Sequence, residues 1–213
     1  DGKYFDLKFM MYVSDSIDNG VKTMKHDLES TYMNSHWLQS MVDANFTINE
    51  WTFKSKLTGR ESVVVGYGVK TGIRGARRLG TRPQYCLLDD LLSDEKASSQ
   101  IELAKVNDIL NSSVEFAIEP DGFIRLLGTP FDPRDPLYSR IANQLGHSVV
   151  IPICEKFPCT KEEFKGAWED RYPYEWVAKK YNNFRKINKF TGFTRELMLR
   201  VGNDAEKSVD IGK

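Results

Sequence analysis

Two adjacent carboxylates, Asp89 and Asp90, follow the apolar run Tyr85-Cys86-Leu87-Leu88. A run of this kind predicts a short buried strand that places both acids at its carboxyl edge. In open α/β sheets, ligands bind outside that edge. The spacing is typical of a Walker B strand, whose first acid holds Mg²⁺ while the next residue orients or deprotonates the attacking water. An ordinary strand followed by a solvated turn would give the same pattern, so the rest of the chain has to decide.

Two other functions are compatible with the acidic pair. Paired carboxylates at a strand end also suit metal-dependent cleavage of phosphodiester bonds by a nuclease, in which two metal ions are held together. That chemistry needs further acids that converge on Asp89 and Asp90, and the sequence offers only weak candidates such as Asp132. The third interpretation is a non-catalytic module that docks on DNA or on another protein through the aromatic tail of the chain, which is described below.

The elements that must position the acids alternate between strand and helix, which predicts a parallel sheet covered by helices. Residues 51–56 and 61–67 form a hairpin pattern. Ser93-Asp94-Glu95 is a start signal for a long helix towards residue 117. The predicted strands are residues 7–13, 51–56, 61–67, 85–88, 123–127 and 148–153.

A segment rich in glycine and arginine, residues 68–80, precedes the acids. Lys70-Thr71 invites comparison with a phosphate-binding loop. We reject that interpretation because the G-x4-G-K-[ST] spacing is missing and the glycines that follow prevent a helix. Four arginines lie between residues 74 and 82, which is more positive charge than a plain connector needs.

The composition limits the possible classes of protein. Lys+Arg and Asp+Glu both number 30, so no global basic field favours nucleic acid and any such binding needs a local patch. No run of the sequence approaches the length of a membrane span. The three cysteines, Cys86, Cys154 and Cys159, lack metal-ligand spacing and are predicted to be unpaired thiols.

Beyond Cys154 the chain becomes aromatic and basic, with helices predicted near residues 174–187 and 190–201. Five cations of this tail could meet a phosphate backbone. A solvated helix face with its aromatic side chains packed inward is an equally good interpretation. The five cations are Lys179, Lys180, Arg185, Lys186 and Lys189.

The order of these features resembles the ATPase region of large terminase subunits, the DNA-packaging motors of tailed bacteriophages. The similarity is collinear over residues 8–205, and five motifs in order carry it although no single one is strong. They are Arg74-Gly75 in the basic loop, Arg82-Pro83, Leu87-Leu88-Asp89-Asp90, Arg125-Leu126-Leu127-Gly128-Thr129-Pro130 and Phe193-Thr194-Arg195-Glu196-Leu197.

The resemblance implies an α/β fold of the P-loop NTPase type, with a mostly parallel sheet covered by helices. It implies a partial ATPase core at residues 1–155 and a small helical lid and linker subdomain at residues 156–213. The family's first strand and Walker A loop are expected upstream of residues 7–13, and its nuclease domain downstream. We therefore expect weak or absent ATP hydrolysis by these residues alone.

By the same resemblance, Mg²⁺ and ATP are the cofactors and Asp89 would hold the metal ion. Asp90 would activate the attacking water, although the family more often has Glu at that position, and Glu95 is the alternative. Arg74 would be presented to the nucleotide of a neighbouring subunit. Gly128 and Thr129 would form the coupling motif that senses the γ-phosphate.

The partners that the resemblance implies are double-stranded DNA, a portal protein, a small terminase subunit and further copies of the chain in a ring of about five. It implies no membrane association. The expected location is the host cell cytoplasm, with transient binding at the portal of the prohead, and the protein would be absent from the mature virion.

Overall fold

The computed structural model describes residues 7–93 and 99–201, and the chain forms two compact units that meet between Gly128 and Thr129. The first unit contains the β-sheet and the second contains three helices. This division lies earlier in the chain than the predicted boundary after residue 155, because the described residues after Gly128 add no further strand to the sheet.

The predicted strand at residues 148–153 is wrong. Val149, Val150 and Ile151 are 70%, 51% and 67% exposed, and none of them belongs to a strand. The Ile153 N–H donates to the Leu197 carbonyl (2.8 Å) instead. A run of β-branched residues forms a strand only where a neighbouring strand can pair with it, and within the second unit the described residues supply none.

The first unit is a six-stranded mixed sheet in the order β2-β3-β4-β1-β5-β6. β1 pairs in parallel with β4 and β5, and β5 pairs in parallel with β6. β3 is antiparallel to both β2 and β4, so the predicted hairpin is confirmed and β2, which was not predicted, extends it. The strands are β1 (Phe9–Ser14), β2 (Val42–Phe46), β3 (Glu50–Ser55), β4 (Glu61–Gly68), β5 (Tyr85–Asp89) and β6 (Phe123–Leu127).

β1 leads directly into the first helical segment. Ser16 caps it by accepting a hydrogen bond from the Asn19 N–H (3.1 Å). A π-helical turn (Ile17–Val21) opens the segment, and α1 (Lys22–Met33) and α2 (His36–Met41) follow.

This segment lies unusually close to the sheet. A β-carbon on Gly20 would collide with the Ser14 side chain, and one on Gly66 would collide with Val21. Val21 is fully buried. Glycine at both points therefore permits the π-helical turn to pack directly on β1 and β4.

After the acidic pair, α3 (Gln100–Ile109) continues through a second π-helical turn (Leu110–Val114) into one more helical turn (Glu115–Ala117). Ser99 caps α3. The helix carries a buried face, as its apolar spacing predicts: Leu103, Val106, Leu110, Val114 and Ala117.

Strand β6 is the edge of the sheet and is less buried than the sequence predicts. Its only partner among the described strands is β5, and Ile124 and Leu127 are 42% and 51% exposed. The apolar run therefore indicated a strand correctly but not a central one.

The second unit packs helices around an aromatic core. Its helices are α4 (Pro136–Ala142), α5 (Tyr174–Lys186) and α6 (Phe190–Glu196), so the two predicted helices of the tail are confirmed, the last one shorter than expected. The buried residues of the core are Cys154, Phe157, Val177, Phe193 and Met198. In the part of the chain that the structure describes, every helix falls short of the length and apolar character needed to cross a membrane.

Candidate functional site

The site is built at the carboxyl edge of the parallel strands. Asp89 is the last residue of β5 and lies opposite Leu127 of β6. On the other side of β5, β1 pairs Val13 with Leu88. Asp89 is half-buried and Asp90 is exposed, so the strand delivers both acids to the edge at which ligands bind in sheets of this type.

Tyr12 of β1 holds Asp89 by a hydrogen bond. Its phenolic O–H donates to Asp89 Oδ2 over 2.9 Å, and Tyr12 is only 4% exposed. Burial raises the pKa of Tyr12 above its ordinary value of 10.0, and the bond to Asp89 raises it further. Because the phenol stays protonated, it acts as a donor to the carboxylate.

The second oxygen of Asp89 is available to a ligand. Asp89 Oδ1 accepts no hydrogen bond from the residues that the structure describes. Mg²⁺ usually retains several waters and takes one or two carboxylates together with substrate phosphates. A single half-exposed carboxylate therefore fits the requirement of a magnesium ion that is bound mainly by nucleotide and water.

Asp90 leaves the strand in a left-handed conformation, with φ at 41°. Its N–H donates to the Leu127 carbonyl (3.3 Å), so the ladder between β5 and β6 continues to this residue while its backbone leaves the extended conformation. Backbone of this kind costs about 1–3 kcal/mol for a residue other than glycine and is concentrated at functional sites. Glu95, the alternative water-activating acid, lies outside the described residues.

The loop after β4 is anchored beside the site but does not form a phosphate-binding loop. The Val69 N–H donates to the Ser14 carbonyl (2.8 Å), and Val69 and Ile73 are buried. No helix follows Lys70-Thr71, and Lys70 pairs with Glu102 of α3. This agrees with the rejection of that segment as a Walker A loop.

Arg74 is bound within the first unit. Its Nε and Nη2 donate to the Ser112 carbonyl at 3.1 and 2.9 Å. Ser112 lies in the second π-helical turn, where the wider helix alters the usual pairing of carbonyls. An arginine presented to another subunit would have to release this carbonyl first.

Of the other three arginines, Arg77 differs from its neighbours. Arg78 pairs with a carboxylate of β3 (2.7 Å) and Arg82 donates to a carbonyl of the last turn after α3 (3.0 Å). The exposed Arg77 side chain has no partner among residues 7–93 and 99–201. It stands beside a turn in which Leu79 and Gly80 are both left-handed, and Leu79 is 50% exposed.

Gly128 and Thr129 follow β6 directly. Gly128 has φ at 154°, a value that favours glycine, and it is the last residue of the first unit. Thr129 begins the second unit and precedes the buried Pro130. The motif thus lies at the junction of the two units in the chain.

The five cations of the basic tail divide into two groups. The Lys180 ammonium lies 5.3 Å from the ring centroid of Trp176, and the Arg185 guanidinium lies 5.8 Å from that of Tyr181. The remaining three, Lys179, Lys186 and Lys189, are exposed without such a contact. Lys179 and Lys186 lie two turns apart on the face of α5 opposite the buried Val177.

The acids needed by a nuclease do not gather in the described part of the chain. No group of three or more His, Cys, Asp or Glu side chains there could hold a metal ion. Asp132 pairs with Arg134 and lies in the second unit. The described residues therefore give no support to the nuclease interpretation.

Tyr12 is the residue of the site that the sequence reasoning missed. A tyrosine inside an apolar strand is a usable signal, because a buried phenol needs a hydrogen-bond partner. The pairing of β1 with β5, which identifies Asp89 as that partner, joins segments far apart in the chain.

Comparisons with known proteins place the fold in a defined class. The chain has the α/β fold of the ATPase domain of a large terminase, with a mixed sheet and helices. One structure similar to it over most of its length is the large terminase ATPase domain of Thermus phage P74-26, with a TM-score of 0.56, 11% sequence identity, and coverage of 93% of this chain and 79% of that one. The predicted fold class is thereby confirmed.

A second similar structure is the large terminase of the thermophilic bacteriophage D6E, with a TM-score of 0.46 and 11% identity. The match covers 68% of this chain and 32% of that protein, so the chain corresponds to about a third of the length of that terminase. No family model matches the sequence, and no curated protein matches it significantly.

Proposed function

We propose that this chain is the ATPase-region segment of a terminase large subunit, which couples ATP hydrolysis to the movement of double-stranded DNA into a prohead. The observation that carries the proposal is Asp89 at the carboxyl edge of β5. It lies in the fold of a large terminase ATPase domain, with one oxygen held by Tyr12 and the other available.

The open edge of β6 supports the expected upstream segment. A strand that carries a phosphate-binding loop would pair in parallel with β6, because β6 has no other described partner on that side. Its exposed Ile124 and Leu127 would then be covered. A loop at the carboxyl end of such a strand would supply the backbone amides that bind phosphates.

The residues of the site take distinct roles in this proposal. Asp89 holds Mg²⁺, which when bound with ATP neutralises charge on the phosphates. Asp90, or Glu95 in its place, orients and deprotonates the attacking water. Gly128 and Thr129 report the state of the γ-phosphate from the end of β6.

An arginine of the loop after β4 acts on the nucleotide of a neighbouring copy. Arg74 fills this role after it leaves the Ser112 carbonyl, whereas Arg77 has no contact with a described residue that would have to break first. An arginine supplied in this way accelerates hydrolysis roughly 10³- to 10⁵-fold, because it neutralises charge that develops only in the transition state.

DNA binding is assigned to the basic face of the second unit, through Lys179, Lys186 and Lys189. Lys180 and Arg185 contribute charge from their positions over aromatic rings. The portal protein, the small terminase subunit and further copies of the chain in a ring are the proposed protein partners. The proposed location is the host cytoplasm, with transient binding at the prohead portal.

The test measures Mg²⁺-dependent ATP hydrolysis by the 213-residue chain and by a version extended with the phosphate-binding segment that the resemblance implies. We expect turnover only in the extended protein. Asp89→Asn should abolish it, because the amide cannot hold the metal ion as a carboxylate does. Asp121→Asn, an exposed acid after α3, is the matched control and should leave the rate unchanged.

Two results would contradict the proposal. Unchanged turnover in Asp89→Asn would remove the metal role of that residue. Metal-dependent DNA cleavage that depends on Asp89, without ATP turnover, would favour the nuclease instead.

DNA binding is tested separately, by the salt dependence of affinity for double-stranded DNA. Replacing both Lys179 and Lys186 with Gln should reduce the slope of log affinity against log salt by about 2, since each neutralised phosphate contributes about 0.9. Replacing Lys22 and Lys56, exposed lysines of the first unit, is the control. An unchanged slope would refute the assignment of this face.

A further inference from the structure

Tyr12 has the geometry of a residue that controls the metal-binding carboxylate from the neighbouring strand. Its hydroxyl donates to Asp89 Oδ2 over 2.9 Å, a direct bond of ordinary length between side chains on two parallel strands. The bond uses one oxygen of the half-buried Asp89 and leaves Oδ1 without a donor from the described residues.

The ring of Tyr12 is fixed independently of this bond. Tyr12 is fully packed in a core cluster with Val21 and Trp51, and its ring centroid lies 6.0 Å from that of Trp51. In the sheet, Tyr12 pairs with Gly66 of β4 and Leu87 of β5. The donor therefore has a defined position before any ligand arrives.

We propose that Tyr12 is a positioning residue for the metal ion: it fixes the rotamer of Asp89 so that Oδ1 alone is presented to a divalent cation. The inference rests on the proposed function only in taking Asp89 as a metal ligand. A carboxylate fixed by an outer hydrogen bond loses little conformational freedom when it binds. Without the bond, the half-buried side chain of Asp89 would exchange between several rotamers.

The test uses Mn²⁺ as a probe and amide NMR spectra of the full chain. Mn²⁺ broadens signals of nuclei close to it, so the amides of Leu88, Asp89 and Asp90 report binding at this edge. Tyr12→Phe keeps the ring and its packing and removes only the hydroxyl. We expect its Mn²⁺ affinity to fall about 10-fold, the lower end of the range for loss of an outer-sphere partner.

A matched control separates this effect from a general loss of stability. Tyr32→Phe removes a hydroxyl that donates to the Val42 carbonyl (3.1 Å), remote from Asp89. It should leave Mn²⁺ affinity unchanged. Asp89→Asn should remove the localised broadening altogether, and Mg²⁺ should displace Mn²⁺ from the wild-type chain.

Each outcome is decisive for one of the two ideas. If Asp89→Asn abolishes broadening and Tyr12→Phe binds as the wild type does, the positioning role is refuted and the metal site stands. If wild-type signals at this edge show no saturable, Asp89-dependent broadening, Asp89 is not presented to the cation in the absence of nucleotide and the positioning role of Tyr12 is refuted, whereas the metal role of Asp89 is decided by the ATP hydrolysis test.

Discussion

Asp135 holds the chain that follows the Gly128-Thr129 motif, and its removal should destabilise the protein by about 3 kcal/mol. The residue is only 2% exposed. Its Oδ1 accepts from the Tyr138 N–H (2.6 Å), which caps α4, and its Oδ2 accepts from the N–H groups of Phe131 (2.6 Å) and Asp132 (3.1 Å). One carboxylate thus satisfies three backbone donors at the start of the second unit.

The magnitude follows from those three bonds. Loss of the helix cap costs about 1 kcal/mol. The partly buried N–H groups of Phe131 and Asp132 lose their acceptor, which costs about 1 kcal/mol of stability for each. For a chain of this length, a total of about 3 kcal/mol corresponds to a fall of roughly 6–12 °C in the melting temperature.

The assay is thermal and denaturant unfolding of Asp135→Ala, followed by circular dichroism. Asp135→Asn keeps one oxygen acceptor and should show about half the loss. Asp170→Ala, which removes an exposed acid of the same unit, should change the free energy of unfolding by less than about 0.5 kcal/mol. A loss below about 1 kcal/mol in Asp135→Ala would refute the reasoning.

Two further predictions concern titrating groups. Hydrogen bonds from Arg134 lower the pKa of Asp132 below its ordinary 3.8, so this contribution to stability is present above that value and is lost as the pH falls through the folded pKa. Asp132→Asn should therefore reduce the loss of stability at acid pH, by less than about 1 kcal/mol because Arg134 is exposed and solvent screens the pair; an unchanged pH dependence of stability would contradict this. Among the thiols, burial raises the pKa of Cys86 and raises that of Cys154 to about 11, whereas the partly exposed Cys159 has a smaller increase. Iodoacetamide followed by mass spectrometry should show Cys159 modified at least about 10-fold faster, and earlier labelling of Cys86 in the folded chain would be inconsistent with its burial.

Much of the fold could be predicted because its signals are local. The apolar run of β5 ends at its acids, and the hairpin of β3 and β4 has a turn between two β-rich runs. Ser16 is a typical N-cap residue and marks the start of the first helical segment. These patterns depend on residues close together in the chain.

The wrong or missing predictions concern properties that depend on residues far apart in the sequence and adjacent in the fold. Residues 148–153 have the composition of a buried strand, but no described strand of their unit pairs with them. β6 is apolar yet lies at the edge of the sheet. The contact of Tyr12 with Asp89 depends on the order of strands, which a single sequence does not reveal.

The close packing of the first helical segment on the sheet offers a way to recognise distant relatives. At Gly20 and Gly66 a side chain of any size would meet Ser14 or Val21. A protein can exchange most of its residues and keep this fold, but it cannot place a β-carbon at these two points without moving the helix away from β1. Two small residues, one in the turn after the first strand and one near the end of β4, followed by paired acids, form a search pattern based on steric contact. Such a pattern could be sought in proteins that share the fold at very low identity, such as the 11% found for the terminase ATPase domain of Thermus phage P74-26.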